Sequence, residues 1–267
     1  MTTLGVLILV LLPALFGIPG WARKRFEPLL SLLVIAPSFL IAALVSNQSG
    51  VTPAVTLFSL EAFGLSELIQ LRFDSLSALV GTTVLIIVSV VQIFSNRQLR
   101  EDPNFDRFFN QLGWLKSSLM LLIFSGHLAL FIVAWWAVSY FLHNLLLHFS
   151  NRPWAKKAAT QKFWVSRFGD LFMISFAALT FASFGTLDFQ KISALLELGG
   201  FNGSQLQVQL AAALLVLGAT TKSAQVPFHF WLPNTMETPS PVSALMHAGI
   251  INSGGFILVK LAPLVHA

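Results

Sequence analysis

The chain has 267 residues, of which 55% are hydrophobic and only 10% are charged, and its mean hydropathy is +0.77. An ordinary soluble domain, in which about a quarter of the residues are charged, is thereby excluded, and we expect an all-α, polytopic membrane protein. The net charge of +5 does not indicate nucleic-acid binding, because the basic residues cluster in short loops between apolar runs. The chain contains no cysteine, which excludes disulfides and thiolate metal sites.

Eight apolar runs have roughly the 17–25 residues that a bilayer requires. In chain order the predicted spans are 3–18, 29–45, 76–94, 108–125, 127–149, 163–184, 206–232 and 241–262. The first run begins almost at once, with no basic region before it, and is predicted as a retained helix. The segment 46–73 is less apolar, carries Glu61 and Glu67, and is predicted to lie on the membrane surface.

The distribution of lysine and arginine among the loops predicts the orientation of the chain in the membrane. The second, fourth and sixth loops hold only Arg72 and Lys191, whereas ten basic residues are assigned to the first, third and fifth loops. These ten are Arg23, Lys24, Arg25, Arg97, Arg100, Arg107, Arg152, Lys156, Lys157 and Lys162. Because cytoplasmic loops are enriched in basic residues, both termini are predicted to face outside.

The seventh predicted span contains Lys222, where hydrocarbon is expected. A charged side chain near the bilayer centre costs roughly 2.5–3.5 kcal/mol on insertion scales. Pro227 lacks an N–H and clashes with the carbonyl four residues back, so it predicts a break in this helix. A buried cation beside a broken helix is a common layout of an ion pathway. The alternative is a structural lysine that snorkels to the interface.

Four further residues are candidates to act together with Lys222. Gln225 and His229 follow Lys222 at i+3 and i+7, and they share its stripe if the helix continues through the proline. Arg167 and Asp170 are spaced i, i+3 near the start of the sixth span. They either neutralise each other, which lowers the cost of insertion, or bias the proton affinity of Lys222.

Histidines form the third set of candidates. His143 and His148 lie on the predicted fifth span and His247 on the eighth. A row of histidines can relay protons because the side chain titrates near neutral pH. The alternative for each is a hydrogen bond between helices. His127 and His266 lie at span ends and are predicted to be interfacial.

Two further lysines lie within predicted spans. Lys116 is an interior charge of the fourth span, and Lys260 lies near the end of the eighth, so it is predicted to be structural and to snorkel. We find no glycine-rich phosphate loop, no serine-centred nucleophile motif and no zinc-like histidine and glutamate cluster. No catalytic residue, metal or cofactor is therefore predicted for this chain.

The stretch TTKSAQVPFHFWLPNTMETPSPVSALMHAGIINSGG resembles the signature of the antiporter-like membrane subunits. That superfamily includes subunit L of respiratory complex I and the large subunit of Mrp-type cation/proton antiporters. AATQKFWVSRFGDLF and FGTLDF resemble the sixth-span region of subunit L, and RFDSLSAL resembles the start of its third span. The resemblance implies that Lys222 is the central proton-carrying lysine of a broken helix and that His247 belongs to the relay on the next helix.

One position departs from subunit L, which has a Trp-Glu pair in its fifth span whose glutamate partners the lysine. Here the aligned pair is Trp135-Trp136, so the carboxylate is missing. An indole only donates hydrogen bonds and cannot neutralise an ammonium. Because an unpaired buried charge is very costly, Asp170 is predicted to partner Lys222, with Arg167 competing for it.

The residues SYFLHNLLLHFSNRPWAKKAATQKFWVSRFGD are more similar to the DabB-type subunit of inorganic-carbon transporters. In that family a membrane subunit pairs with a large soluble zinc protein resembling a carbonic anhydrase, the DabA-type subunit. This resemblance implies that a flux of protons or Na⁺ through the membrane subunit drives one-way conversion of CO2 to bicarbonate in the partner. It also implies a multi-pass protein of the bacterial inner membrane.

The resemblance further predicts an N-terminal three-helix region at 1–107 and an antiporter-like five-helix repeat at 108–267. The second, inverted repeat of these families is absent, so we expect either a fragment or a subunit whose second half is a separate polypeptide. Three functions remain open. They are a DabB-type proton-conducting subunit, a subunit of an NADH-quinone oxidoreductase or Mrp-type antiporter, and a truncated structural membrane piece without transport. Trp136 favours the first over the second, and the missing repeat favours the third.

Overall fold

A computed structural model describes residues 54–60, 65–200 and 202–266, with the side chains of residues 70–200, 202–236 and 238–266. The predicted spans 3–18 and 29–45 lie outside the described residues. The described part is mostly helical, which confirms the predicted class.

A β-hairpin, which the sequence did not predict, precedes the helices in the described part of the chain. Strands β1 (Ala54–Leu60) and β2 (Leu65–Arg72) pair antiparallel, with Ala54 opposite Arg72 and Leu60 opposite Leu65. Their β-branched, aromatic and leucine residues suit a pleated strand. Leu71 also bridges to Ser125, so the hairpin is attached to the helical bundle where the second helix ends.

The helices follow in chain order, with a 3₁₀ turn at Pro233–Glu237 and a π turn at Met246–Ile250. They are α1 (Ser75–Gln98), α2 (Phe105–Phe124), α3 (Leu128–Leu146), α4 (Pro153–Phe184), α5 (Phe189–Leu198), α6 (Gln205–Lys222), α7 (Ser240–Leu245), α8 (Asn252–Lys260) and α9 (Ala262–Val265). Within the described residues, four helical segments are long and apolar enough to cross a membrane: α1, α3, α4 and the run Ser240–Lys260.

The predicted fourth and seventh spans correspond to α2 and α6, which are less apolar than those four segments. Helix α2 carries Asp106, Arg107 and Lys116, while α6 begins with alternating glutamines and ends on Lys222. Charged and amide groups lower the mean hydropathy of a helix even where it packs inside a bundle.

Helices α4 and α6 approach each other closely because glycines lie at their contact. A Cβ on Gly169 would collide with the side chain of Thr221, and one on Gly218 would come within 2.8 Å of Met173 Sδ. Small residues allow membrane helices to pack backbone against backbone. This contact places the stretch of α4 around Asp170 directly against the end of α6 that carries Lys222.

The predicted break in the seventh span is confirmed, and it occurs at Lys222 itself. Helix α6 is capped by Ser223, and Ala224 adopts the left-handed conformation with φ of 49°. The N–H of Gln225 then bonds to the carbonyl of Thr220 at 3.0 Å, as in a Schellman-type helix end. Pro227 has no N–H to donate back to Ser223, so it cannot continue the helix.

Candidate functional site

Lys222 lies in the interior of the bundle and is 7% exposed. Its Nζ donates to the hydroxyl of Ser139 at 2.7 Å and to the carbonyl of Trp135 at 3.1 Å. The same ammonium lies 4.4 Å from the centre of the Trp135 ring, a cation–π distance. The lysine therefore does not snorkel, and α3 supplies its hydrogen-bond partners.

Lys162 is a second buried lysine close to Lys222, and the sequence did not predict it as a site residue. It was assigned to a loop because the sixth span was predicted to begin at 163, whereas α4 begins at Pro153. Lys162 is 4% exposed, and its Nζ donates to the main-chain carbonyl of Ser139 at 2.6 Å. The available signal was its spacing of eight residues before Asp170, which places both on one face of α4.

Arg167 and Asp170 form an ion pair with 2.7 Å between the guanidinium and the carboxylate. Asp170 is buried at 6% exposure, whereas the Arg167 side chain is 45% exposed and lies over the ring of Phe163 at 5.1 Å. Among the described side chains, no ion pair joins Asp170 to Lys222. A role for Asp170 as the partner of Lys222 stays a prediction.

The central cluster is the group formed by Lys162, Lys222, Arg167, Asp170 and Ser139. It contains three basic side chains and one carboxylate. Because Arg167 already occupies that carboxylate, the two lysines depend on a hydroxyl, two carbonyls and an aromatic face. Such groups stabilise an ammonium without cancelling its charge.

A cavity of about 370 Å³ opens beside the central cluster, between α3 and α4. Its lining includes Trp136, Ser139, His143, Lys162 and Arg167. Trp136, at 40% exposure, lines this cavity, whereas its neighbour Trp135 is buried against Lys222. The buried Nδ1 of His143 has no hydrogen-bond partner. The cavity thus brings His143, Arg167 and Lys162 together, and their role in a proton pathway stays a prediction.

The remaining predicted residues lie elsewhere. Gln225 and His229 are exposed in the turn after α6, so they do not share a helix stripe with Lys222. His247 is exposed on the π turn. His148 lies beyond the end of α3, and its Nε2 is 3.1 Å from the carboxylate of Asp102.

Lys260 was predicted to snorkel, and that prediction is wrong. Its side chain is 7% exposed, and Nζ donates to Ser125 O at 2.9 Å, Ser77 Oγ at 3.2 Å and Ile123 O at 3.3 Å. The carboxylate of Asp74 lies 3.7 Å away. The lysine points inward because α1 and the end of α2 present these acceptors to it.

An ion pair next to this lysine completes what we name the end cluster: Lys260, Asp74, Arg72 and Asp188. Arg72 on β2 contacts Asp188, the N-cap of α5, at 2.6 Å, with both side chains buried. The end cluster therefore holds two cations and two carboxylates. Lys116, the other interior lysine, donates to Gln92 at 3.4 Å.

No three histidine or acidic side chains come together in a metal-ligand arrangement within residues 70–266, as far as the structure describes them.

Known protein families account for most of the chain. Residues 125–267 match the family described as NADH:quinone oxidoreductase/Mrp antiporter, transmembrane region, and residues 50–109 match the N-terminus of complex I chain 5. These matches confirm the resemblance that the motifs indicated.

Among the relatives, a probable inorganic carbon transporter subunit DabB1 from Halothiobacillus neapolitanus is 38% identical over 201 residues, which cover 74% of this chain and 36% of the relative. NADH-quinone oxidoreductase subunit L from Mycobacterium tuberculosis is 34% identical over 204 residues, covering 76% and 32%. The chain thus spans about a third of the length of these relatives.

The fold is similar to a chain of the Mrp complex from Dietzia sp. DQ12-45-1b, with a TM-score of 0.74, 23% identity, and coverage of 97% of this chain and 28% of that one.

Proposed function

This chain belongs to the family of antiporter-like membrane subunits that includes DabB and complex I subunit L, and from that premise we propose that it conducts protons or Na⁺ through the central cluster. We further propose that it does so as part of a DabB-type complex. There the ion flux drives one-way conversion of CO2 to bicarbonate in a large soluble zinc subunit resembling a carbonic anhydrase.

The observation that supports conduction is the setting of Lys222. A lysine that serves only as a structural cation would be expected to pair with a carboxylate, because an unpaired buried charge is costly. Lys222 instead ends a broken helix and contacts the Ser139 hydroxyl, the Trp135 carbonyl and the Trp135 ring. An amine held in this way can release its proton without stranding a counter-charge.

Asp170 and Arg167 would set when that release happens. Asp170 sits beside the α4–α6 contact while it is ion-paired to Arg167 at 2.7 Å. Because the Arg167 side chain is 45% exposed and lines the cavity between α3 and α4, it can turn into the cavity and free the carboxylate for the lysine. An opposite charge nearby favours the protonated amine, so this exchange would switch the proton affinity of Lys222.

The DabB-type assignment is favoured by Trp136, which stands where subunit L carries the glutamate that partners its lysine. A relative named as a probable inorganic carbon transporter subunit is 38% identical over 201 residues, which also supports this assignment. His143 would pass protons on the cavity side of the cluster. His247 would act in the pathway beyond α6, as the resemblance implies, and Gln225 and His229 would act in the turn that follows α6.

An alternative is a proton-pumping subunit of an NADH-quinone oxidoreductase or Mrp-type antiporter, which the 34% identity to subunit L favours. The identity of the co-purifying partner decides between the two. A tagged, full-length protein isolated from its native membrane should bring down a soluble zinc protein. Recovery of quinone-reducing subunits without a zinc protein would establish the alternative.

Conduction itself is tested with Lys222→Ala in the full-length protein, reconstituted with its co-purifying subunits in liposomes that contain a pH-sensitive dye. A potassium diffusion potential drives the flux. Lys222→Ala should abolish proton uptake without preventing membrane insertion, while Lys156→Ala, which removes an exposed lysine of α4, should conduct normally. Wild-type flux in Lys222→Ala would overturn conduction through the central cluster.

A further inference from the structure

Two buried lysines from different helices contact one residue. Lys162 on α4 donates to the carbonyl of Ser139 at 2.6 Å, and Lys222 on α6 donates to the hydroxyl of the same serine at 2.7 Å. They are 4% and 7% exposed, so water does little to screen them from each other. Whatever charge one lysine carries is therefore felt by the other.

The surrounding charges do not balance two ammonium groups. The ionisable side chains around the pair are His143 on α3, together with Arg167 and Asp170 on α4. Asp170 is the only carboxylate among them, and Arg167 is paired with it. Two like charges that share a buried site resist simultaneous ionisation, as paired carboxylates do. The pair therefore has its lowest energy when one lysine is protonated and the other is neutral.

Ser139 suits a shared proton because a hydroxyl both donates and accepts. It accepts from Lys222 when that lysine is protonated, and after a rotation of its hydrogen it donates to the neutral amine. The carbonyl of Ser139 accepts a hydrogen bond from Lys162 in either state. Both protonation states of the pair are thus hydrogen-bonded. Because a carbonyl does not pass a proton on, exchange requires the Lys162 amine to turn from the carbonyl of Ser139 to its hydroxyl, which is a side-chain rotation without backbone movement.

The cavity between α3 and α4 reaches one member of the pair. Lys162 and Ser139 line it together with His143, and its volume of about 370 Å³ leaves room for several water molecules. Lys222 does not belong to the lining. A proton that arrives through this cavity meets Lys162 before it meets Lys222.

We propose that Lys162 is a second proton-carrying residue, which exchanges one proton with Lys222 across Ser139 and connects the pair to the cavity. Lys162 would then take the place of the missing fifth-span carboxylate as the neighbour that controls Lys222. The proton leaves one amine as the other gains it, so no further reactant is required. This inference rests on the proposed conduction through Lys222 and adds the residue that supplies it.

Lys162→Arg and Lys162→Gln separate a proton carrier from a fixed cation. Arginine keeps the charge but does not release its proton in proteins. Proton flux should therefore fall at least about tenfold in both variants, since a positioned proton-transfer group contributes about 10²–10⁴-fold. Normal flux in Lys162→Arg would show that only the charge matters and would overturn the proposal, as would normal flux in Lys162→Gln.

The pH dependence of the residual flux supplies a second readout. In Lys162→Gln, Lys222 no longer faces a like charge, so it keeps its proton to higher pH and the midpoint of the flux curve should rise by roughly one unit. In Lys162→Arg the permanent charge should move the midpoint down. Equal midpoints in wild type and both variants would contradict a coupled pair.

Ser139→Ala covers the case in which a lysine variant fails to assemble, because it removes one oxygen atom and keeps both lysines. We expect at least about a tenfold loss of flux, and wild-type flux would overturn the exchange across Ser139. All assays use the full-length protein with its co-purifying subunits, and Lys156→Ala is the control. If Lys222→Ala conducts normally, the proposed function fails. If only Lys222→Ala is inactive and the Lys162 and Ser139 variants are normal, this inference alone fails.

Discussion

The central cluster and the end cluster both bury lysine, but they hold it in opposite ways. Lys260 in the end cluster has three hydrogen-bond acceptors and Asp74 at 3.7 Å, next to the Arg72–Asp188 pair. The end cluster contains as many carboxylates as cations. The central cluster has three basic groups around Asp170, and Lys222 and Lys162 share one serine.

Under the proposed function, this difference separates a fixed charge from a mobile one. A carboxylate and several hydrogen-bond acceptors around a lysine stabilise its protonated form. Losing the proton would weaken these interactions, so such surroundings favour the charged amine. A lysine beside another lysine gains from losing its proton. Burial and residue type are the same in both places, and the balance of neighbouring charges decides the role.

The largest expected effect is a loss of stability in the Lys260→Met variant. The substitution leaves Asp74 and the inward-pointing carbonyls of Ile123 and Ser125 without their shared cation. Lys260 is buried but the Asp74 side chain is 30% exposed, so the loss should lie at or below the lower end of the about 3–5 kcal/mol that breaking a fully buried pair costs. Denaturant unfolding of the purified full-length protein should show this loss, while flux per folded molecule stays near wild type. A stability change below about 1 kcal/mol would mean that the end cluster is not a structural clamp.

Lys222→Met should show the reverse pattern. Methionine has similar length and no charge, so the unfolding free energy should stay level or rise, because replacing a buried charge by an apolar group is often stabilising. Proton flux should fall by at least about a hundredfold. Marked destabilisation together with intact flux would assign Lys222 the role that we give to Lys260.

The two buried carboxylates offer a matched comparison of Asp170→Asn with Asp188→Asn. Asp170→Asn leaves Arg167, whose side chain is 45% exposed and can turn into the cavity that it lines. Asp188→Asn leaves Arg72 buried and unpaired, so it should lower stability by about 3 kcal/mol.

Asp170→Asn should therefore spare folding and stop bicarbonate accumulation. The measurement is growth of a CO2-dependent host in ambient air, with membrane levels of both variants as the control. Wild-type growth of Asp170→Asn would rule Asp170 out of the coupling step.

The parts of the central cluster that the sequence predicted carry local signals. Lys222 is a charge inside an apolar run, and Pro227 is a helix breaker a few residues later. Arg167 and Asp170 are recognisable by their i, i+3 spacing. Each of these signals can be read without knowing which helices are neighbours.

The parts that were missed depend on neighbours. Lys162 stands in AKKAATQKF, a polar stretch that reads as a loop, because hydropathy cannot separate a loop from a helix whose polar side is covered by α3. Lys260 was assigned by its distance from a span end, whereas Ser77 and the α2 carbonyls that hold it are distant in sequence. The strands of the hairpin are seven and eight residues long, too short to be read as spans.

The smallest effect concerns the helix end that presents Lys222. Ala224 lies in the left-handed region at φ of 49° with its Cβ in an unfavourable position, and glycine adopts that conformation freely. Ala224→Gly should therefore raise the unfolding free energy by about 1 kcal/mol. The matched control is Gly185→Ala at the end of α4, where φ is 64° and no atom lies within 4 Å of an added Cβ. Only the cost of the left-handed backbone conformation changes there, so stability should fall by a similar amount. If the hydrogen bonds to Ser139 and Trp135 position the lysine, flux in Ala224→Gly should equal that of wild type. A loss of flux there, without a loss of stability, would show instead that the constrained helix end holds Lys222 in place and that the central cluster depends on backbone geometry as much as on charge.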